Sequence, residues 1–225
     1  MKNFRDLSYI NLKKNMILRS EALANLDIND QDLLLNKHNL KLVIDLRTPH
    51  GFETQKDMQL AGVKYVNIPL MTDDEIKSLE INDCYAKAVC EDKKDVWTKI
   101  FNLLLDNSDG AILFHCSSGK DRTGIVISLI LSCLGINKEV IYQDYLLSNK
   151  SLKVPFKYKL RLLFASKEAK QNFYAYFWVQ KAYLDSVFSE IDNLYGSING
   201  FFIKCCGLNE DKIKRLKEKY LNDWN

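Results

Sequence analysis

AILFHCSSGKDRTGIVISLIL, Ala111 to Leu131, is the stretch whose reading decides the fold. It opens on a short apolar run fit for a buried strand and closes on a longer one fit for a buried helix. Between the runs lie Cys116 and Arg122, six positions apart, with Ser117, Ser118, Gly119, Lys120 and Asp121 between them. A chain that turns sharply from strand to helix points successive backbone N–H groups into one concavity, a nest for a tetrahedral oxyanion. The helix beginning near Arg122 adds its unpaired N–H groups and the positive end of its dipole. Arg122 can clamp two phosphate oxygens with its planar fork. Cys116 then stands at the floor of a positive cup, where a thiolate is favoured and faces phosphorus as a nucleophile. A Walker-type nucleotide loop is excluded: it needs Gly where Phe114 stands and Ser or Thr where Asp121 stands.

Working outward, residues 3 to 20 read as short strands joined by a turn. Asn29 or Asp30 is placed to cap a helix running to about Lys37. KLVIDLR, Lys41 to Arg47, suits a parallel strand with polar groups at its carboxyl end, and Gly62 to Leu70 reads as another, stopped by Pro69. Trp97, Ile100, Phe101, Leu104 and Leu105 have helical spacing, so that segment is a core-facing helix. Gly135 should end the helix after the loop, and Lys138 to Leu147 form the next. Strands alternating with helices predict an α/β fold with a mostly parallel central sheet flanked by helices. Ligands in such sheets bind at the carboxyl ends of the strands, where the Cys116 loop lies.

Residues 150–181 differ: seven of residues 150–170 are Lys or Arg against one acid, Glu168, and Phe173, Tyr174, Tyr176, Phe177 and Trp178 crowd together after them. The region 150–190 is expected to be a helical lid-like insertion that attracts anionic substrates or makes transient contact with an anionic membrane surface. An ordinary amphipathic helix pair is the alternative. Two further helices should close the chain, Ile213, Leu216 and Tyr220 marking one face of the last. With no linker or repeat, residues 1–225 are expected to form a single domain.

Composition bounds the partners. The formal charge, 32 basic minus 29 acidic residues, is +3, too small to imply nucleic-acid binding. Six Cys without a C-x-x-C pair suggest a reducing compartment, and adjacent Cys205 and Cys206 read as neighbours on a helix rather than a bridge. Three His without ligand spacing predict no metal site, and no cofactor is expected. MKNFRDLSYI lacks the apolar core of a signal peptide, and the run from Ile125 to Leu134 is too short to span a bilayer. A cytoplasmic protein is expected, with export by a route that leaves no sequence mark as the alternative.

The ten residues HCSSGKDRTG, His115 to Gly124, resemble the signature loop of the cysteine-dependent protein tyrosine phosphatase superfamily, in the version carried by bacterial tyrosine and phosphoinositide phosphatases. NFRDL at the start, ILRSEAL at 17–23, VIDLR at 43–47, DYLLSN at 144–149 and YGSINGFF at 195–202 resemble the same family in the same order. Where that family carries paired Gly after NFRDL, this chain has Ser8-Tyr9. The resemblance implies a phosphatase-like α/β fold and a metal-independent hydrolase acting through a cysteinyl-phosphate on phosphotyrosine in protein. The same chemistry on phosphoinositides is a second reading, favoured by Lys120 and the basic stretch. An inactive module that binds phosphorylated ligands is a third.

Roles follow from the resemblance and from chemistry. Cys116 is the expected nucleophile, and Arg122 binds the phosphate and steadies transition-state charge together with Ser117, Ser118, Gly119, Lys120 and Asp121 of the loop. His115 is expected to hold the loop by a hydrogen bond, and Thr123 to offer its hydroxyl to the Cys116 sulfur. The leaving oxygen needs a proton donor. Asp121, inside the loop, is one choice; Asp73 or Asp74, on a loop after a strand end, is the other. Asp45 and Arg47 are read as hydrogen-bonding partners at a strand end.

Overall fold

The computed structural model describes residues 1–107, 109–151 and 177–222, together with residues 166, 169 and 173. Five strands form one sheet: β1 (Arg5–Asp6), β2 (Ile17–Ser20), β3 (Leu40–Asp45), β4 (Lys64–Asn67) and β5 (Ala111–His115), in the order β1-β2-β5-β3-β4. β1 is antiparallel to β2, and the other three pairings are parallel. The sheet is therefore mostly parallel, as the strand–helix alternation predicts. The strand that carries the signature loop is the central one, bonded to β2 and to β3.

The period of two along β5 divides the core. Ile112 and Phe114 face a large apolar cluster on one side of the sheet, Ala111 and Leu113 a smaller one on the other. In β3, Leu42 and Ile44 share the first cluster while Leu40 and Val43 share the second, because the register shifts between Leu40 and Leu42. The large side is covered by α5 (Lys94–Asp106), which buries Trp97, Ile100, Phe101 and Leu104, and by α6 (Asp121–Cys133). Ten of the thirteen residues of α6 are buried, so this helix is enclosed on nearly every side and its N-terminus is fixed.

Around this frame lie α1 (Ile28–Asp32), α2 (Pro49–Thr54), α3 (Asp73–Ser78), α4 (Ile81–Lys87) and α7 (Lys138–Ser151). After the segment described only in part come α8 (Lys181–Tyr195), α9 (Ile198–Lys204) and α10 (Glu210–Tyr220). Gly135 ends α6 with φ +83°, as predicted, and α7 continues four residues past Leu147. The cap of α1 is Asp27, whose side chain accepts from the Asp30 N–H, rather than Asn29 or Asp30; a π turn, Leu33–Lys37, continues it. Three helices follow residue 180 instead of the expected two. Gly196, at φ +78°, ends α8, and Ser197 caps α9 by accepting from the Gly200 N–H, so YGSING is a helix break. Cys205 and Cys206 are free, buried thiols in the turn that ends α9. Leu216 and Tyr220 of α10 are buried and Ile213 packs partly against the core, giving the expected face. Much of the lid-like insertion expected at 150–190, with most of its basic residues, lies outside the described residues. Among the described residues no helix is long and apolar enough to cross a membrane.

Candidate active site

The loop from Cys116 to Lys120 joins the carboxyl end of β5 to the first turn of α6. First-turn N–H groups have no carbonyl one turn back to bond, so they are available at this site. Cys116, at 1% exposure, sits at its base. Arg122 is at the outer end and donates from Nη2 to Ser117 Oγ at 3.2 Å, which lays the guanidinium across the loop. Gly119 has φ +67°, and a Cβ there would stand 2.2 Å from the Ser20 carbonyl oxygen. Glycine is required by both the dihedral and the space.

A buried polar clamp holds the loop from the β1–β2 side. Asn3 Nδ2 and Arg19 Nη2 each donate to the Gly119 carbonyl at 2.8 Å, and Asn3 Nδ2 also reaches the Ser118 carbonyl at 3.3 Å. With these carbonyls tied back, the loop N–H groups are left to face a ligand. Arg19 is fully buried and pairs from Nη1 with Asp144 Oδ2 at 2.6 Å; Arg5 Nε pairs with Asp144 Oδ1 at 2.7 Å. Tyr9 donates its hydroxyl to the same Asp144 Oδ1. Burial alone would raise the Asp144 carboxyl, but Arg19 and Arg5 beside it hold it below the usual carboxylate range. Burial lowers the Arg19 guanidinium, an effect Asp144 opposes.

A second network holds the β3 side. Arg47 donates from Nε and Nη2 to both oxygens of Asp45 and from Nη2 to Asp57 Oδ2 at 2.9 Å. Asp45 and Arg47 are therefore the strand-end partners expected of them. His115 Nδ1 lies 3.2 Å from the Cys116 carbonyl, which fits the loop-holding role. Its Nε2 is 3.0 Å from Asp57 Oδ2 without an aligned hydrogen bond. Burial would raise Asp57, but His115 and Arg47 outweigh it and hold the carboxyl low. Asp45, Asp57 and His115 are the three described residues whose ligand atoms all lie within 4.8 Å of one another, as a metal would require. The Arg47 guanidinium bonds both carboxylates and supplies the positive charge there.

The loop opens on a cavity of about 560 Å³. Ser117, Ser118, Lys120, Asp121 and Arg122 line its polar end; Met71, Ile76, Leu79, Ile81, Tyr85 and Phe177 are among its apolar walls. Lys120 is buried, its Nζ 3.3 Å from Asp121 Oδ2. Asp121 Oδ1 accepts from the Tyr85 hydroxyl at 2.6 Å. Asp73 and Asp74 line a different hollow of about 510 Å³ that shares only Met71 with the first. There Asp73 Oδ1 accepts from Thr48 Oγ1 at 2.7 Å in the first turn of α3, whose cap is Thr72. The structure thus brings Asp121 to the Cys116 loop and sets Asp73 and Asp74 apart from it. Thr123 Oγ1 is buried without a hydrogen-bond partner, so the expected bond to the Cys116 sulfur is not formed.

Sequence reasoning assigns no chemistry to Asn3, Arg5, Arg19, Asp57, Asp144 or Tyr85. For Asn3, Arg5, Arg19 and Asp144 the signal is the family-like segments in which they lie; for Tyr85 and Asp57 there is none.

The model of the tyrosine phosphatase family matches residues 1–222. A tyrosine-protein phosphatase of Nostoc commune is 29% identical over 140 residues, 58% of this chain and 47% of that protein. The triple specificity protein phosphatase PtpB of Mycobacterium tuberculosis is 30% identical over 117 residues, 47% of this chain and 42% of that protein. The chain thus spans less than half the length of these curated relatives. The crystal structure of PTPMT1 aligns over 85% of this chain and 96% of that one, at 12% identity and a TM-score of 0.43.

Proposed function

This chain belongs to the tyrosine phosphatase family, and from that premise we propose that it hydrolyses phosphotyrosine in protein, metal-independently, through a cysteinyl-phosphate at Cys116. One observation carries the reading: Ser117, Ser118, Lys120, Asp121 and Arg122 line one end of a single cavity, on the loop that begins at the buried Cys116, with apolar walls opposite. Met71, Ile76, Leu79, Ile81 and Phe177 suit an aromatic ring better than the short stem of phosphoserine.

In the first step the Cys116 thiolate attacks phosphorus, the bond from phosphorus to the tyrosine oxygen breaks, and Asp121 protonates the departing phenolate. The loop N–H groups and the Arg122 fork hold the three equatorial oxygens as charge shifts onto the leaving group. In the second step water attacks phosphorus, its proton passes to Asp121, and the sulfur–phosphorus bond breaks to free phosphate. Asp121 serves in both steps and is preferred because it lines the cavity at the Cys116 loop, whereas Asp73 and Asp74 line the neighbouring hollow. Lys120 supports a second reading, phosphoinositide hydrolysis, because its ammonium lies in the same cavity and can meet a second phosphate.

The test is phosphate release by wild type and Cys116→Ser from a phosphotyrosine peptide, a phosphothreonine peptide and a set of phosphoinositides. Cys116-dependent release from phosphotyrosine at the highest rate supports the leading reading. Faster release from phosphoinositides replaces it with the second. Binding of the peptides without release by wild type overturns both in favour of a binding module.

A further inference from the structure

Asp121 does not stand alone on its loop. Its Oδ1 accepts from the Tyr85 hydroxyl at 2.6 Å, and the Tyr85 hydroxyl accepts from the Tyr145 hydroxyl at 2.8 Å. Tyr85 belongs to α4 and Tyr145 to α7, so three elements meet at one carboxylate. Both tyrosines are buried, at 2% and 0% exposure.

The sequence of the signature helix makes the meeting possible. A Cβ on Gly124 would stand 2.7 Å from Cδ2 and Cε2 of the Tyr145 ring. Gly124 thus removes the side chain that would keep Tyr145 off α6. From the other side, Tyr183 of α8 packs on Tyr85 with ring centroids 5.5 Å apart, and Ser186 Oγ donates to the Asn82 carbonyl of α4. Burial, Asp121 and Tyr145 raise the Tyr85 hydroxyl well above its usual range; burial and Asp121 do the same for Tyr145. Both stay protonated through neutral pH, so the direction of donation is fixed from Tyr145 to Tyr85 to Asp121.

We infer that Tyr85 and Tyr145 are positioning residues that orient the Asp121 carboxyl for proton transfer. The inference rests on the phosphatase reading above. Oδ1 takes the 2.6 Å bond from Tyr85 and Oδ2 the looser 3.3 Å approach of Lys120 Nζ, so Oδ2 is the oxygen assigned the exchanged proton. It gives that proton to the leaving oxygen in the first step and takes one from water in the second, so Asp121 ends as it began.

The experiment measures kcat and KM for wild type, Tyr85→Phe, Tyr145→Phe, the double variant and Asp121→Asn with and without Tyr85→Phe. Two substrates are used: a phosphotyrosine peptide, whose leaving group needs a proton, and an activated umbelliferyl phosphate, whose leaving group does not. General acid–base catalysis contributes roughly 10²–10⁴-fold, so a mis-set carboxyl should forfeit about tenfold of it. Tyr85→Phe should lower kcat/KM, which reports the transfer to Cys116, about tenfold on the peptide and less than about twofold on the activated ester, while kcat falls alike on both where the shared hydrolysis step limits turnover. Tyr145→Phe should show the same selectivity at about threefold, add nothing to Tyr85→Phe, and Tyr85→Phe should add nothing to Asp121→Asn. Equal losses of kcat/KM on both substrates, a change in KM alone, or additive losses overturn the inference and leave the tyrosines as core residues. A crystal structure of Tyr85→Phe gives a readout free of turnover: Asp121 displaced or in several conformers supports positioning, and an unmoved carboxylate overturns it. Should wild type release no phosphate in a Cys116-dependent way, the phosphatase reading falls, and this second measurement alone decides the positioning.

Discussion

The two buried charge networks that flank the signature loop are built in opposite proportions. On the β1–β2 side two arginines, Arg5 and Arg19, share one carboxylate, Asp144. On the β3 side one arginine, Arg47, is shared by two carboxylates, Asp45 and Asp57, with His115 beside them. The first network grips the far end of the loop through the Gly119 carbonyl; the second reaches its near end through the Cys116 carbonyl. A buried charge is tolerated when paired and is costly when its partner is removed. The cost of breaking each network should therefore follow how many partners the remaining charges keep.

The largest effect is expected at the residue with no substitute. Asp144→Ala leaves the buried Arg19 and the part-buried Arg5 without their carboxylate and should cost about 3–5 kcal/mol in urea unfolding. Asp57→Ala leaves Arg47 with Asp45 and should cost about half as much. Equal losses would break the comparison, since redundancy would then count for nothing.

Next comes Gly119→Ala, which attacks the clamped end without touching a charge. A left-handed dihedral and a Cβ 2.2 Å from the Ser20 carbonyl should together cost about 2–3 kcal/mol and remove most of the phosphate release. Normal stability with full turnover would show that the clamp does not set the loop.

A pH series sharpens the contrast further. The Asp144 and Asp57 carboxyls are both held low: burial opposes this, and Arg19 and Arg5 in one case, His115 and Arg47 in the other, prevail. A carboxyl lowered in the folded state stabilises fully above its unfolded value of about 3.9, and the gain is lost as pH falls through the lower folded value. Thermal midpoints should accordingly fall steeply below about pH 4, and Asp57→Asn should flatten part of that slope. An unchanged slope would remove Asp57 from the account. The smallest effect is expected for Tyr9→Phe, which deletes one rim hydrogen bond to Asp144 and should cost about 1 kcal/mol by the same melting assay.

These networks also mark where the sequence stops being informative. The strand, loop and helix from Ala111 to Cys133 are legible because a short apolar run, a cluster of small polar residues and a second apolar run are local signals. The cap of α1 lies two or three residues before its expected place because Asp27, Asn29 and Asp30 can all accept from a first-turn N–H, and only the backbone path selects Asp27. The YGSING break escapes a sequence reading because Gly196 and Ser197 end one helix and begin the next with no residue between them. Sequence leaves Asp121 as one of two choices; in space it lines the cavity at the Cys116 loop while Asp73 lines a neighbouring hollow. Tyr85 is illegible: 36 positions separate it from Asp121, and nothing in a half-polar heptapeptide such as INDCYAK announces a partner there.

The central place of β5 has a kinetic consequence. This strand slots between β2 and β3, which precede it, so Ile17 must wait for Ile112 and the Arg19–Gly119 bond spans 100 positions. Long loop closures are slow and are rewarded only after their entropy is lost. On a ribosome, Cys116 would emerge before α6 and before Asp144, which stands 125 positions from Arg19. The cup that surrounds Cys116 is thus completed late, when α7 arrives to close the clamp.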